Sequence, residues 1–254
     1  MADHIDYTIF GDDLQLVEIE LDPQEGVRAE AGTMIYMDMD VKMQTGTGGG
    51  LFKGVKRMIT GETFFITSFL NQGTGKKHVA FAAPYPGKII TLDLGALGGS
   101  FICQRDSFLA AASNTEIEIA FSKKLGAGLF GGEGFILQRL VGDGLAFAHA
   151  GGTVVEKDLR AGETLKVDTG CLVAMSTTVD YDIEFVGGFS NALFGGEGIF
   201  LAKLSGPGKV YLQSLPLSRL ADRIAAASFS QSQGEKKGAA GVGGDLLGDI
   251  ISGM

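Results

Sequence analysis

The sequence LFGGEGFIL at residues 129–137 recurs as LFGGEGIFL at residues 193–201, and a looser copy begins with LF at 51–52 and resumes, after an insertion, as GETFFI at 61–66. Each copy runs into a glycine-containing turn and then a short apolar segment: 73–75 then 79–81, 142–144 then 145–147, and 206–208 then 210–212. Self-similarity at a spacing of about 65 residues predicts one β-unit that occurs three times.

We place the three units at about 13–75, 76–144 and 145–208, and we expect the strand after each glycine turn to pair with the next unit. Apolar and polar residues alternate within the units, over residues 14–21, 115–121 and 179–185. Alternation of period two predicts strands with one buried and one wet face. The fold class is therefore all-β, with three repeated β-sandwich units of the jelly-roll or double-stranded β-helix type.

Two segments have helical character. Residues 217–227 place Leu217, Leu220 and Ile224 at helical spacing, which predicts a C-terminal helix that packs on the sandwich. Residues 53–60 form a short basic insertion found only in the first unit. From residue 228 the composition shifts to Ser, Gln, Gly and Lys, so we expect one compact domain over 1–227 and a flexible tail over 228–254.

Composition narrows the functional classes. The chain has 254 residues, 45% of them apolar, and a net charge of −9. A phosphate backbone would be repelled by this charge, so no nucleic-acid partner is expected. The N-terminus has no signal-peptide pattern, and the apolar stretch 51–70 carries four charged residues, so we expect a cytoplasmic protein. Cys103 and Cys171 lie in strand-like segments and are interpreted as reduced, buried thiols.

The segment GGEGIFLAKLSGPGKVYLQS at residues 195–214 resembles the C-terminal hallmark of the altered-inheritance-of-mitochondria 24 family. LPLSRLADRI from Leu215 and GGGLFKGVKRM from Gly48 are similar to the same family, and the resemblance covers residues 5–227. It implies a fold similar to that of the tryptophan RNA-binding attenuation protein, with three such units in one chain. It brings no catalytic residues. The mitochondrial role of eukaryotic members is not carried over, because the chain lacks an Arg-rich presequence.

Three glutamates occupy equivalent turns in the three units: Glu62, Glu133 and Glu197. Related by pseudo-symmetry, they could surround an axis and hold a cation. The alternative is structural, since a glutamate beside exposed turn amides can accept their hydrogen bonds. Repetition in all three units favours the structural interpretation.

The basic cluster of Lys53, Lys56 and Arg57 is a candidate contact with an anionic membrane surface or a protein partner. Its alternative is a solvated short helix. No catalytic motif is found: the GxGxxG string at 126–131 leads into a strand-like run, the histidines show no metal-binding spacing, and GxSxG is absent. No cofactor is expected.

The sequence therefore favours a non-enzymatic scaffold or binding protein that forms a homo-oligomer, because repeated sheets must hide their exposed edges. Two alternatives stay open. One is a small-ligand-binding protein or enzyme with a site between units, and the other is a peripheral membrane protein.

Overall fold

The computed structural model describes residues 5–30, 32–46, 66–123, 135–186 and 199–227. The chain divides into two units, Met1–Pro216 and Leu217–Met254. The described strands of the first unit are β1 (Asp6–Phe10), β2 (Leu16–Leu21), β3 (Gly26–Glu30), β4 (Met34–Met37), β5 (Val41–Gly46), β6 (Ile66–Asn71), β7 (Lys77–Ala82), β8 (Gly87–Asp93), β9 (Ser100–Gln104), β10 (Phe108–Ala112), β11 (Glu116–Lys123), β12 (Phe135–Val141), β13 (Leu145–Gly151), β14 (Val154–Leu159), β15 (Thr164–Asp168), β16 (Leu172–Ser176), β17 (Asp180–Val186), β18 (Ile199–Ser205) and β19 (Gly208–Gln213). The predicted all-β class is confirmed.

The strands form four sheets, and every pairing between named strands is antiparallel. Sheet A has the order β1-β2-β7-β4, and sheet B has the order β5-β6-β3-β10-β13-β8. Sheet C has the order β11-β12-β9-β16-β19-β14, and sheet D consists of β15-β18-β17. The alternating segments of the sequence lie in these sheets, with one face of each strand on an apolar core.

Three successive sets of six strands follow one pairing scheme. In set 1 (β2–β7), the first strand pairs with the sixth, the second with the fifth, the third with the sixth and the fourth with the fifth. Set 2 (β8–β13) and set 3 (β14–β19) have the same four pairings. A β-bulge also occupies the same place in the third strand of each set, at Met34/Tyr36, Phe108/Ala110 and Leu172/Ala174.

Adjacent sets are joined by the second strand of one and the third strand of the next, β3 with β10 and β9 with β16. The expectation that the strand after each glycine turn pairs with the next unit is wrong. That strand, β7 in set 1, pairs with β2 and β4 of its own set, because the 73–75 turn carries the chain from sheet B to sheet A. The unit boundaries near residues 75 and 144 stay predictions.

Three apolar clusters hold the four sheets in a stack. The first, with Phe69, Phe81 and Phe147, lies between sheets A and B. The second, with Leu92 and Phe101, lies between sheets B and C, and the third joins sheet C to sheet D. Face-to-face sheets bury their apolar faces against each other in this way. Sheets A and D therefore lie at opposite ends of the stack, with sheets B and C between them.

The second unit begins with the helix that the sequence predicts over residues 217–227. Its packing on the β domain and the flexible tail over 228–254 stay predictions. Among the described residues, no helix is both long enough and apolar enough to cross a membrane.

Candidate functional site: two unpaired sheet edges

Strand β4 is one of the two edge strands of sheet A, the other being β1. Strand β4 pairs with β7 on one side, and no strand pairs with its other side in the described part of the chain. Its counterparts, β10 in set 2 and β16 in set 3, are paired on both sides. Set 1 therefore lacks the neighbour that covers this strand in the other two sets.

Burial differs between β4 and its counterparts because the counterpart residues lie in the apolar clusters between stacked sheets, whereas Tyr36 lies beside Glu18 on the outer face of sheet A. Ile35 and Tyr36 of β4 are 54% and 43% exposed, whereas the corresponding residues Leu109 and Ala110 of β10 are 1% and 0% exposed. The corresponding residues of β16, Val173 and Ala174, are likewise buried. The two positions are buried in sets 2 and 3 and exposed to solvent in set 1. Exposed apolar residues of this kind indicate a candidate interaction surface.

Strand β15 is the complementary edge. It pairs with β18 alone in the described structure, whereas its counterparts β3 and β9 are each paired on both sides. Val167 stands where Ala29 and Cys103 stand, since all three precede the bulged third strand of their set by the same number of residues. The chain thus carries one unpaired third strand and one unpaired second strand, the two kinds that pair at the internal joints.

The exposed apolar residues are concentrated in the N-terminal part of the chain, over β1, set 1 and the segment between them. Of the ten large apolar side chains that are exposed among the described residues, seven lie between Tyr7 and Met43. Met39, directly after β4, is 92% exposed. Large apolar patches on a protein surface mark interaction sites, and three of these residues, Ile35, Tyr36 and Met39, lie on or directly after β4.

Charged groups surround the β4 edge on the outer face of sheet A. The backbone N–H of His78 donates to Asp38 Oδ2 at 2.8 Å, and this bond is the main cause that lowers the pKa of the Asp38 carboxyl. Tyr36 donates to Glu18, which raises the pKa of the phenol. Lys77 Nζ lies 2.8 Å from Asp40 Oδ2. Exposed ion pairs contribute little to stability, but charge beside a free edge limits indiscriminate strand pairing.

Buried titratable groups lie away from this edge. His149 of β13 is buried, its ring centroid lies 4.5 Å from that of Tyr85, and its Nδ1 has no hydrogen-bond partner in the described structure. Burial lowers the pKa of His149 to about 4. A Cβ on Gly87 would lie 2.5 Å from His149 Nε2, so the ring fills space that a glycine leaves open. This is the packing of a structural histidine.

The cysteines do not form a nucleophilic site. Cys103 is buried, and burial raises the pKa of its thiol, the opposite of what an activated nucleophile needs. Cys171 is half-buried rather than buried as expected. Among the described residues, no group of three or more His, Cys, Asp or Glu is placed to hold a metal ion.

The site residues predicted from sequence lie outside the described residues. This holds for the glutamates Glu62, Glu133 and Glu197 and for the basic cluster of Lys53, Lys56 and Arg57. They stay predictions. The residues that sequence reasoning missed are Ile35, Tyr36 and Val167. The sequence feature that could have pointed to the β4 edge is in the third strand of each set, where set 1 has Tyr36 and the other two sets have alanine, Ala110 and Ala174.

Comparison with known proteins identifies the family to which this chain belongs. The profile of the family described as "Mitochondrial biogenesis AIM24" matches residues 7–215. An uncharacterized protein of Streptococcus pyogenes serotype M6 is 33% identical over 217 residues, which cover 82% of this chain and 85% of that protein. A crystal structure of a protein from Streptococcus pyogenes superposes with a TM-score of 0.72 at 28% identity, covering 88% of this chain and 100% of that one. The chain belongs to the Mitochondrial biogenesis AIM24 family.

Proposed function

We propose that this protein is a non-enzymatic, cytoplasmic scaffold that acts as a homo-oligomer, in which β4 of one copy pairs with β15 of the next. One observation carries the proposal: residues of β4 are exposed at positions where both counterpart strands are paired on their second edge and buried beneath a stacked sheet. Burying Ile35 and Tyr36 would add apolar contact area beyond the backbone hydrogen bonds.

The internal joints define the register of the proposed pairing. Ala110 lies opposite Ala29 in the first joint, and Ala174 lies opposite Cys103 in the second. The same register places Tyr36 opposite Val167, Met37 opposite Lys166 and Asp38 opposite Leu165. Sheets A and D would then merge, across two copies, into one sheet of seven strands.

The pairing partner is a second copy rather than the other end of the same chain. Sheets A and D lie at opposite ends of the stack, with three apolar clusters between them. Because β4 and β15 are different surfaces, the contact is heterologous, and successive copies add head to tail.

Analytical ultracentrifugation of the full chain tests the proposal. We expect a concentration-dependent oligomer that Ile35→Lys reduces to monomer, because a lysine cannot be buried in the apolar joint without a partner. Val155→Lys is the matched control, since Val155 is also an exposed apolar residue, on edge strand β14. A wild-type chain that stays monomeric at high concentration, or equal effects of the two substitutions, would overturn the proposal.

A further inference from the structure

An arginine crosses the first internal joint. Arg28 of β3 lies opposite Ala111 of β10, and its Nη1 donates to the backbone carbonyl of Thr115 at 3.1 Å. Thr115 closes the turn that follows β10, where its N–H donates to the Ala112 carbonyl at 3.0 Å. Arg28 thus ties the second strand of one set to the turn after the third strand of the next.

The same turn follows β4. Val41 N–H donates to the Asp38 carbonyl at 3.0 Å, as Thr115 does to Ala112. Val41 therefore stands in the place of Thr115, and the turn over residues 38–41 is the counterpart of the turn over 112–115. Its chemistry differs, because Asp38 and Asp40 replace Ala112 and Asn114.

The counterpart of Arg28 on the unpaired edge β15 is Lys166. It directly precedes Val167, as Arg28 precedes Ala29. Lys166 is exposed, and within its own copy its Nζ contacts Glu184 Oε2 at 2.8 Å. A cation on one free edge and two carboxylates in the turn beside the other free edge are complementary charges, although in their own copy these carboxylates already contact Lys77 and His78.

We infer that Lys166 is the residue that specifies the joint between copies, with its ammonium group bound at the 38–41 turn of the next copy. This inference rests on the proposed function. When two copies associate, the Lys166 ammonium group leaves Glu184 of its own copy and binds the Val41 carbonyl and the Asp40 carboxylate of the neighbour. The joint between copies therefore adds an ion pair to the apolar contacts of Ile35 and Tyr36, whereas Arg28 at the first internal joint bonds a neutral carbonyl. Salt screens an ion pair at the surface, so assembly is weakened by salt.

Charge reversal at one residue, with a matched control, tests this assignment. Lys203 of β18 lies directly opposite Lys166 in sheet D and is exposed, but it is not on the free edge. Lys166→Glu and Lys203→Glu change the net charge equally. We expect Lys166→Glu to weaken association by about tenfold or more, while Lys203→Glu changes it by less than about threefold. Wild-type association is expected to weaken as the NaCl concentration is raised from about 50 mM to about 500 mM.

A charge swap completes the test. Asp40→Lys alone should weaken association, and Asp40→Lys with Lys166→Glu should recover part of the loss, because the ion pair is re-formed in reverse while the contact with the Val41 carbonyl is not. Thermal unfolding of each variant checks that the fold is kept. Equal effects of Lys166→Glu and Lys203→Glu in an associating protein, or no recovery in the double variant, would refute the role of Lys166. A monomeric wild-type chain would instead refute the proposed function.

Discussion

At the scale of single residues, burial of His149 is expected to make the stability of the β domain depend on pH. Burial lowers its pKa to about 4 from an ordinary value of 6.5. As the pH falls, His149 is therefore protonated near pH 6.5 in the unfolded chain but only near pH 4 in the folded chain. The free energy of unfolding falls as the pH drops through this window. The loss is expected to reach about 2 kcal/mol between pH 7 and pH 5.

His149→Gln should remove this part of the pH dependence. The corresponding position of set 3 already holds Gln213, whose side chain bonds the Gly151 N–H at 2.7 Å and the Gly170 carbonyl at 2.8 Å. Urea unfolding of both proteins at pH 7 and pH 5 gives the comparison. The carboxylates are common to both proteins and cancel in the difference. An unchanged pH slope in the variant would show that His149 is not the responsible group.

At the scale of elements, the register of the β4–β15 pairing is open to a direct test. Side chains of residues directly opposite each other share one face of a sheet, and a shift by one residue moves a side chain to the other face. A chain with Tyr36→Cys and Val167→Cys should therefore form disulfides between copies under mild oxidation, visible as a ladder on non-reducing gels.

The matched control is a chain with Tyr36→Cys and Lys166→Cys, in which the two thiols point to opposite faces. It should cross-link far more slowly, although both chains contain the native Cys103 and Cys171. Equal cross-linking of the two chains would mean that the internal joints are the wrong template for the register.

At the scale of the whole molecule, head-to-tail contact makes a prediction that a two-fold dimer does not. Ile35→Lys blocks β4 and leaves β15 free, whereas Lys166→Glu blocks β15 and leaves β4 free. Each variant alone should be largely monomeric, because either block interrupts every joint. An equimolar mixture should form a heterodimer with one intact joint and no further growth.

Native mass spectrometry of the mixture, with the two variants distinguished by mass, measures this outcome. A self-complementary dimer formed by β4 with β4 would be blocked by Ile35→Lys and unaffected by Lys166→Glu, and the Ile35→Lys chain would not be recovered into dimers on mixing. Failure of the mixture to dimerise, with both variants folded, would therefore exclude the head-to-tail arrangement.

The sequence by itself determined the all-β class, the family and the C-terminal helix. The alternating segment 179–185 lies in β17, and the helical spacing from Leu217 to Ile224 lies in the helix 217–227. These features are local, because backbone periodicity sets which side chains share a face. The contrast of Tyr36 with Ala110 and Ala174 was also present in the sequence, but its meaning depended on knowing that these residues occupy the same position.

Only the tertiary structure decided which strands pair, and thus where the free edges lie. The 73–75 turn would allow β7 to pair either with the next set or with its own set. In the structure β7 pairs with its own set, and Phe81 of β7 packs against Phe69. The burial of His149 and the contact of Arg28 with Thr115 join residues far apart in the chain. Such contacts depend on the register and stacking of whole sheets, which non-local packing sets and local residue preferences do not.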